Sequence, residues 1–248
     1  MAIKCEIYRD SMQNYKKYAI PPAQLIIADV PYNVGNNFYG SNPMWYKGGD
    51  RKNGESKLAG KAAFNSDFNF NLYEQIQTLI NAAAKHGFVH YIPLVFCKNY
   101  SPQVLKANMR IVGATEYALV LYRDRLPKFR NGAQKDENGK TIRGTGHMVF
   151  NWFSWEKDGK EIPKIHPAQK PVAVLKKLIE IFTDPGDVVI DPCAGSGSTL
   201  RAAVELGRSA FGFEIDRTFF TRAKNEMLVF PEYTQIGIED CLEGKVMA

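Results

Sequence analysis

Two apolar rhythms alternate along the chain. Short apolar runs recur as CEIYR (5–9), QLIIAD (24–29), FVHYIPLVF (88–96), EYALVLYR (116–123), DVVIDP (187–192) and SAFGFEI (209–215). Several are continuous rather than alternating, as strands buried on both faces require. Between them the spacing turns helical. NLYEQIQTLINAAAK puts Leu72, Ile76, Leu79, Ile80 and Ala83 on one face, and KPVAVLKKLIEIFTDPG does the same with Leu175, Leu178, Ile179 and Phe182. Pro171 falls in the first turn of the second pattern and Gly186 lies just past its end, the order in which these residues start and stop helices. GSTLRAAVELG closes on Gly207, a further helix stop. Strands alternating with helices predict an α/β fold with a mostly parallel sheet.

Two stretches break the rhythm. Residues 33–66 show no period, are rich in glycine, and carry Phe38, Tyr39, Trp45 and Tyr46. A loop this long inside a compact domain is usually functional, and a mobile loop is expected there. In residues 124–165, KDENGKT reads as a turn and MVFNWFSWEKDGKEI as an aromatic-rich hairpin.

Composition narrows the class. The 248 residues suit a single domain with a sizeable core, and 45% hydrophobic with 23% charged residues is ordinary for a globular chain. No apolar run reaches the roughly 18 residues of a membrane span. Cys5, Cys97, Cys193 and Cys241 lie far apart with no C-x-x-C, which argues against zinc or a disulfide framework and for a reducing cytoplasm. The net charge is +6, and residues 120–170 hold eleven cations against six anions. A local basic excess fits either a polyanion partner or a solvated lysine-rich loop. His86 and His90 stand four apart, but Gly87 interrupts the helix between them, so no metal site is expected.

The richest segment is DVVIDPCAGSGSTLRAAVELGRSAFGFEID, 187–216. A strand ends at Asp191, the loop Gly195-Ser196-Gly197 leads into a helix, and a second strand ends near Glu214. Glycines let a ligand approach the backbone beside an exposed helix N-terminus, and an acid at the next strand end suits ribose hydroxyls. This pattern fits two ligand classes. A dinucleotide is disfavoured because G-x-G-x-x-G needs glycine where Leu200 stands, and because Asp191 would repel a pyrophosphate. A ligand that is cationic there, such as S-adenosylmethionine, is favoured.

A second anomaly is Asp29-Val30-Pro31-Tyr32 at the end of an apolar run. A buried strand needs none of these polar or proline residues, although strand ends are commonly punctuated this way. With both segments in view, the sequence resembles the amino-methyltransferases of DNA. DVPY is similar to their D-P-P-Y motif, DPCAGSGST to their D-P-F-x-G-S-G-T-T motif, and HPAQKP (166–171) to the H-P-x-Q-K-P of one subgroup. The order of motifs, catalytic first and cofactor last, is that of the circularly permuted β class. The resemblance covers roughly residues 4–35 and 165–228.

The resemblance implies a Rossmann-like S-adenosylmethionine-dependent fold: a single domain over 1–248, a mostly parallel twisted sheet with helices on both faces, and a target-recognition insert at 124–165. It implies a catalytic motif of Asp29, Val30, Pro31 and Tyr32, in which Asp29 and the Val30 carbonyl accept hydrogen bonds from the target amine and Tyr32 stacks on the base. It implies a cofactor site of Asp10 near the adenine, Asp191, Cys193, Gly195 and Gly197 along the methionine moiety, Glu214 on the ribose and Lys170 at the methionine carboxylate. Val30 replaces the first proline of D-P-P-Y and adds an N–H that needs a partner. Cys193 replaces the common Phe. Asp rather than Ser at the first motif position favours N6 of adenine in DNA over N4 of cytosine. RNA amines and a binding-only role are the competing readings. Duplex DNA is the expected partner of residues 120–170, with Arg123, Arg125 and Arg130 as base-reading candidates. A homodimer and a companion restriction enzyme are both compatible with the resemblance.

Overall fold

The computed structural model describes residues 2–29, 80–99, 114–155, 157–166 and 169–230. The chain falls into two compact units. One comprises Met1–Asp29, Ile92–Val120 and Leu126–Ala248, and the other Val30–Tyr91 and Leu121–Arg125. In the second unit residues 80–85 are helical. There the His90 ring stacks on Tyr122 at 5.3 Å and the Arg123 guanidinium lies 4.7 Å over the Phe88 ring.

The described strands are β1 (Cys5–Tyr8), β2 (Leu25–Ile26), β3 (His90–Lys98), β4 (Thr115–Tyr122), β5 (Trp152–Trp155), β6 (Val188–Asp191) and β7 (Ser209–Phe213). They form two sheets, ordered β1-β7-β6-β2 and β4-β3-β5. In the first sheet every pairing is parallel, with Tyr8 opposite Phe213, Asp191 opposite Gly212 and Ile26 opposite Ile190. The helices are α1 (Val172–Phe182), α2 (Ser198–Glu205) and α3 (Arg217–Arg222), the last running into a π-helical turn over Ala223–Met227. None of the described helices is long and apolar enough to cross a membrane.

The period of two along the strands decides what each face buries. Val189 and Ala210 meet Leu175 and Ile179 of α1 and Leu200, Ala202 and Ala203 of α2. Val188, Ile190 and Phe211 point the other way and are covered by Tyr8, Ile20 and Ala23. Among the described residues, then, the helices in contact with this sheet pack on one face. The opposite face is closed by the segment after β1, where Tyr8 and Tyr18 stack at 4.1 Å. Helix α1 also serves the second sheet: its Val174 and Leu178 pack with Leu94, Phe96 and Trp155.

Among the described residues of 148–162, where the sequence suggests an aromatic-rich hairpin, only Trp152–Trp155 is a strand, and it pairs parallel with β3, Trp155 opposite Lys98. The segment after it has another task. Asp158 Oδ1 accepts a hydrogen bond from Val172 N at 2.8 Å, capping a helix whose own N-cap, Pro171, has no side-chain acceptor. The other expected turn is present: Lys135 bridges Thr141, and Asp136 Oδ1 accepts from Asn138 N and Lys140 N.

Two features of this sheet predict measurable behaviour. A Cβ built on Gly212 would lie 2.7 Å from Leu200 Cδ1 and 3.0 Å from Ala194 Cβ. Gly212→Ala should therefore lower stability by about 1–3 kcal/mol, read as a drop in melting temperature with the fold retained by circular dichroism. Asp191, at the buried end of β6, is 3% exposed, and burial pushes its carboxyl up to about 7 despite hydrogen bonds from the Thr199 side chain and Cys193 N. Between about pH 4 and pH 7 the native state keeps this proton and the unfolded chain releases it, so the contribution of Asp191 to stability falls as pH rises through that window. Melting temperatures from about pH 5 to about pH 8 should show wild type losing stability relative to Asp191→Asn. Parallel profiles would contradict it.

Candidate active site at the carboxyl edge of the first sheet

Because the four strands run parallel and in register, their carboxyl ends lie side by side. Adjacent strands are about 4.8 Å apart, so the residues that follow them form a row. In strand order these are Asp10 after β1, Glu214 after β7, Asp191 and the glycine loop after β6, and Asp29 beyond β2. Residues far apart in the sequence meet here because of topology alone.

The loop is built from its own backbone. Gly195 and Gly197 have φ of +51° and +80°, a region that glycine enters without the steric cost of a Cβ. Gly197 is the N-cap of α2. A Cβ on Gly195 would meet nothing nearer than Cys193 O at 3.9 Å and the His166 ring at 4.0 Å, so conformation and not crowding requires glycine there. Asp191 Oδ1 accepts from Cys193 N at 2.9 Å, and Glu214 Oε2 accepts from Gly195 N at 2.8 Å. Two acids from neighbouring strands thus hold the two ends of the loop. Glu214 Oε1 also accepts from Asp216 N at 2.7 Å. One N–H on each oxygen leaves acceptor capacity for a further donor.

The charge is concentrated. Burial raises the Glu214 carboxyl above its ordinary range, and it raises the Cys193 thiol to about 12, with Asp191, Glu214 and Asp29 adding to the latter. Cys193 is therefore a neutral thiol beside three acids. Such an edge repels phosphate and attracts a cation, so the donor set fits S-adenosylmethionine, a cationic ligand with a ribose.

Asp10 stands differently. Its carboxylate accepts from Ser11 N (2.7 Å), Asn14 Nδ2 (2.7 Å) and Tyr18 OH (2.9 Å), which together hold it below the ordinary range. Its visible work is to fold the 3-10 turn Met12–Lys17 back onto the strand.

Lys170 pairs with acids of the protein. Its Nζ sits 2.7 Å from Asp29 Oδ2 and 3.6 Å from Glu116, so its ammonium is committed to carboxylates of the protein. The turn that carries it is held by Gln169, whose Oε1 accepts from Ile165 N at 3.0 Å and whose Nε2 donates to Pro163 O at 3.0 Å. In the same turn the His166 ring packs edge-on to Phe219 at 4.4 Å, and burial lowers its pKa. Val30, Pro31 and Tyr32 lie outside the described residues, as do the 33–66 loop, the helix positions Leu72, Ile76 and Leu79, and Cys241.

Sequence reasoning missed Glu116, Lys98 and Asp158. Glu116 had a signal: it is a charge inside an otherwise apolar strand. Asp158 had none, since its partner lies fourteen residues on. Arg130, one of the base-reading candidates, is paired with an acid of the protein. Its fork is closed on Asp184 through Nε and Nη2 (2.5 and 2.6 Å), beside Lys128, which bonds Asp184 and Asp187 at 2.7 and 3.0 Å. Lys135, Lys140 and Arg143 are exposed. Among the described residues no group of His, Cys, Asp or Glu is arranged to hold a metal ion.

Comparison with known proteins places the chain in a family. DNA adenine methyltransferase YhdJ of Escherichia coli is 25% identical over 93% of this chain and 85% of its own length. Type II methyltransferase M.MjaI of Methanocaldococcus jannaschii is 31% identical over 60% of this chain and 52% of its own. Among solved structures, the M1.HpyAVI–SAM complex (24% identity, 90% of this chain and 99% of that one) and the cytosine-N4-specific PvuII DNA methyltransferase (14% identity, 98% and 92%) both superpose with a TM-score of 0.56. They share the α/β fold of this chain. The N6_N4_Mtase DNA methylase family matches residues 43–225, and the chain belongs to that family.

Proposed function

We propose that this DNA methylase transfers a methyl group from S-adenosylmethionine to the N6 amine of adenine, with the target base flipped out of the duplex. The observation that carries the reading is the placement of Asp29 in the same row of strand ends as the glycine loop and Glu214. A relative named as an adenine methyltransferase, aligned over 93% of the chain, favours adenine.

The cofactor supplies an activated methyl group. The residues suited to hold it are Glu214, with acceptor capacity for ribose hydroxyls, the backbone of the glycine loop at Gly195 and Gly197, and Asp191, an acid beside the place of the cationic group. Asp10, at the outer end of the same row, is assigned to the adenine end of the cofactor by the family resemblance.

An exocyclic amine is a poor nucleophile because its lone pair is shared with the ring. Asp29 accepts one of its N–H bonds and so stabilises the positive charge that develops on nitrogen. Holding that amine in line with the methyl group contributes a further proximity effect. Val30, through its carbonyl, and Pro31 and Tyr32 enter this reading by chain position. Tyr32 stacking offsets roughly 1–3 kcal/mol of the cost of unstacking the base. Residues 33–66, like Val30, Pro31 and Tyr32, enter this reading by chain position alone, and residues 124–165 form the target-recognition region of a single catalytic domain. Within it the exposed Lys135, Lys140 and Arg143 bind backbone phosphates, while Lys128 and Arg130 anchor the region to Asp184 and Asp187.

The deciding experiment incubates the protein with labelled S-adenosylmethionine and unmethylated duplex DNA, then digests to nucleosides. Label in N6-methyldeoxyadenosine is expected. Label in N4-methyldeoxycytidine would keep the mechanism and overturn the base, and label only with an RNA substrate would overturn the DNA assignment. Asp29→Ala should lower turnover by about 100-fold or more while cofactor binding persists; near-normal turnover would remove Asp29 from the chemistry. DNA affinity should fall steeply with salt, and Lys135→Ala or Arg143→Ala should each reduce the salt slope by about 1.

A further inference from the structure

Asp29 is one end of a chain of alternating charges. Lys170 Nζ lies 2.7 Å from Asp29 Oδ2 and 3.6 Å from Glu116 Oε2. Glu116 Oε1 in turn accepts a short hydrogen bond from Lys98 Nζ. Lys98 then lies over the Trp155 ring, its Nζ 4.7 Å from the centroid. The residues come from separate places in the fold: Asp29 beyond β2, Lys170 before α1, Glu116 in β4, Lys98 at the end of β3 and Trp155 at the end of β5. Lys98 and Trp155 are register partners, and Trp155 is 4% exposed. The far end of the chain of charges is thus fixed in the core of the second sheet.

We infer that Lys170, Glu116 and Lys98 are positioning residues for Asp29, and that Lys170 serves the acid rather than the ligand. The inference rests on the proposed role of Asp29 in methyl transfer. A carboxylate that must accept a hydrogen bond from an amine needs one oxygen free and a fixed rotation about Cβ–Cγ. Lys170 occupies Oδ2, which leaves Oδ1 to the amine. A lysine side chain has four rotatable bonds and does not hold such a geometry alone. Glu116 supplies the second contact that fixes it, and Lys98, packed against an indole, fixes Glu116. The side chains of Lys98 and Lys170 are only 11% and 19% exposed, so water screens these pairs less than it would surface pairs. The chain also offsets charge, placing a cation between Glu116 and an edge that already carries Asp29, Asp191 and Glu214.

The test combines steady-state kinetics with thermal melting on the full chain. Glu116→Gln should lower kcat about tenfold and leave KM for S-adenosylmethionine within about twofold, since the ligand site is untouched. Lys170→Arg should recover part of the activity lost in Lys170→Met. Lys98→Met combined with Glu116→Gln should cost little more than either alone, because the residues act as a unit. A kcat for Glu116→Gln within twofold of wild type, or a rise in KM without a fall in kcat, overturns the inference. Melting gives a readout independent of turnover: the shifts caused by Asp29→Asn and Glu116→Gln should fall short of additive by about 2 °C or more. Additive shifts overturn the chain of charges. A wild-type protein that methylates no substrate defeats the methyl-transfer reading instead, and the melting cycle still decides whether Asp29 and Glu116 are coupled.

Discussion

Everything chemical in this protein depends on the parallel register of β1, β7, β6 and β2. Parallel strands require crossovers, so residues adjacent at the sheet edge are necessarily distant in the sequence. Register converts that distance into a row of acids. Asp191 sits opposite Gly212 and Tyr8 opposite Phe213, which fixes where the chain leaves each strand and hence where Glu214, the glycine loop and Asp10 begin. The row exists because Gly212 lets α2 approach, and α2 is what the loop at Gly195 and Gly197 starts.

The edge is a study in charge held under tension. Desolvation pushes Asp191 and Glu214 toward their neutral forms, while backbone N–H groups from the loop pull them toward ionisation. The balance leaves the site acidic enough to draw a cation, and neutral enough to be buried without one. Asp29 receives different treatment. It is matched by a lysine side chain that reaches it from across the sheet edge. Asp191 and Glu214 thus accept backbone N–H groups of the loop, whereas Asp29 is paired with a lysine.

How much of this was legible follows from how local each signal is. The six apolar runs anticipated strands, and DVVID, the glycine loop and the acid at Glu214 lay within one stretch of sequence, so their proximity could be inferred from spacing. The glycines at 195 and 197 carried their positive φ openly. The Lys170–Asp29 contact spans 141 positions and Lys128–Asp184 spans 56; no period or composition encodes such pairings. The parallel pairing of β5 was hidden for a related reason. Trp152–Trp155 has strand composition, but its partner is set by the nine-residue β3, which buries Phe96 beside Phe153 and Trp155. Local propensity proposed a strand, and tertiary packing chose its neighbour. The Arg130–Asp184 pairing was unreadable too, because a guanidinium looks the same in sequence whether its fork is vacant or filled.

Helix α1 joins two of these long-range contacts. Lys170 stands just before its first residue and Asp184 just after its last turn, and Asp184 is where Lys128 and Arg130 grip. Its 11 residues make a rod of about 16 Å, packed against both sheets along its length. One rigid helix thus carries an ion-pair anchor at each end: the acid that receives Lys128 and Arg130 follows its last turn, and the lysine that reaches Asp29 precedes its first.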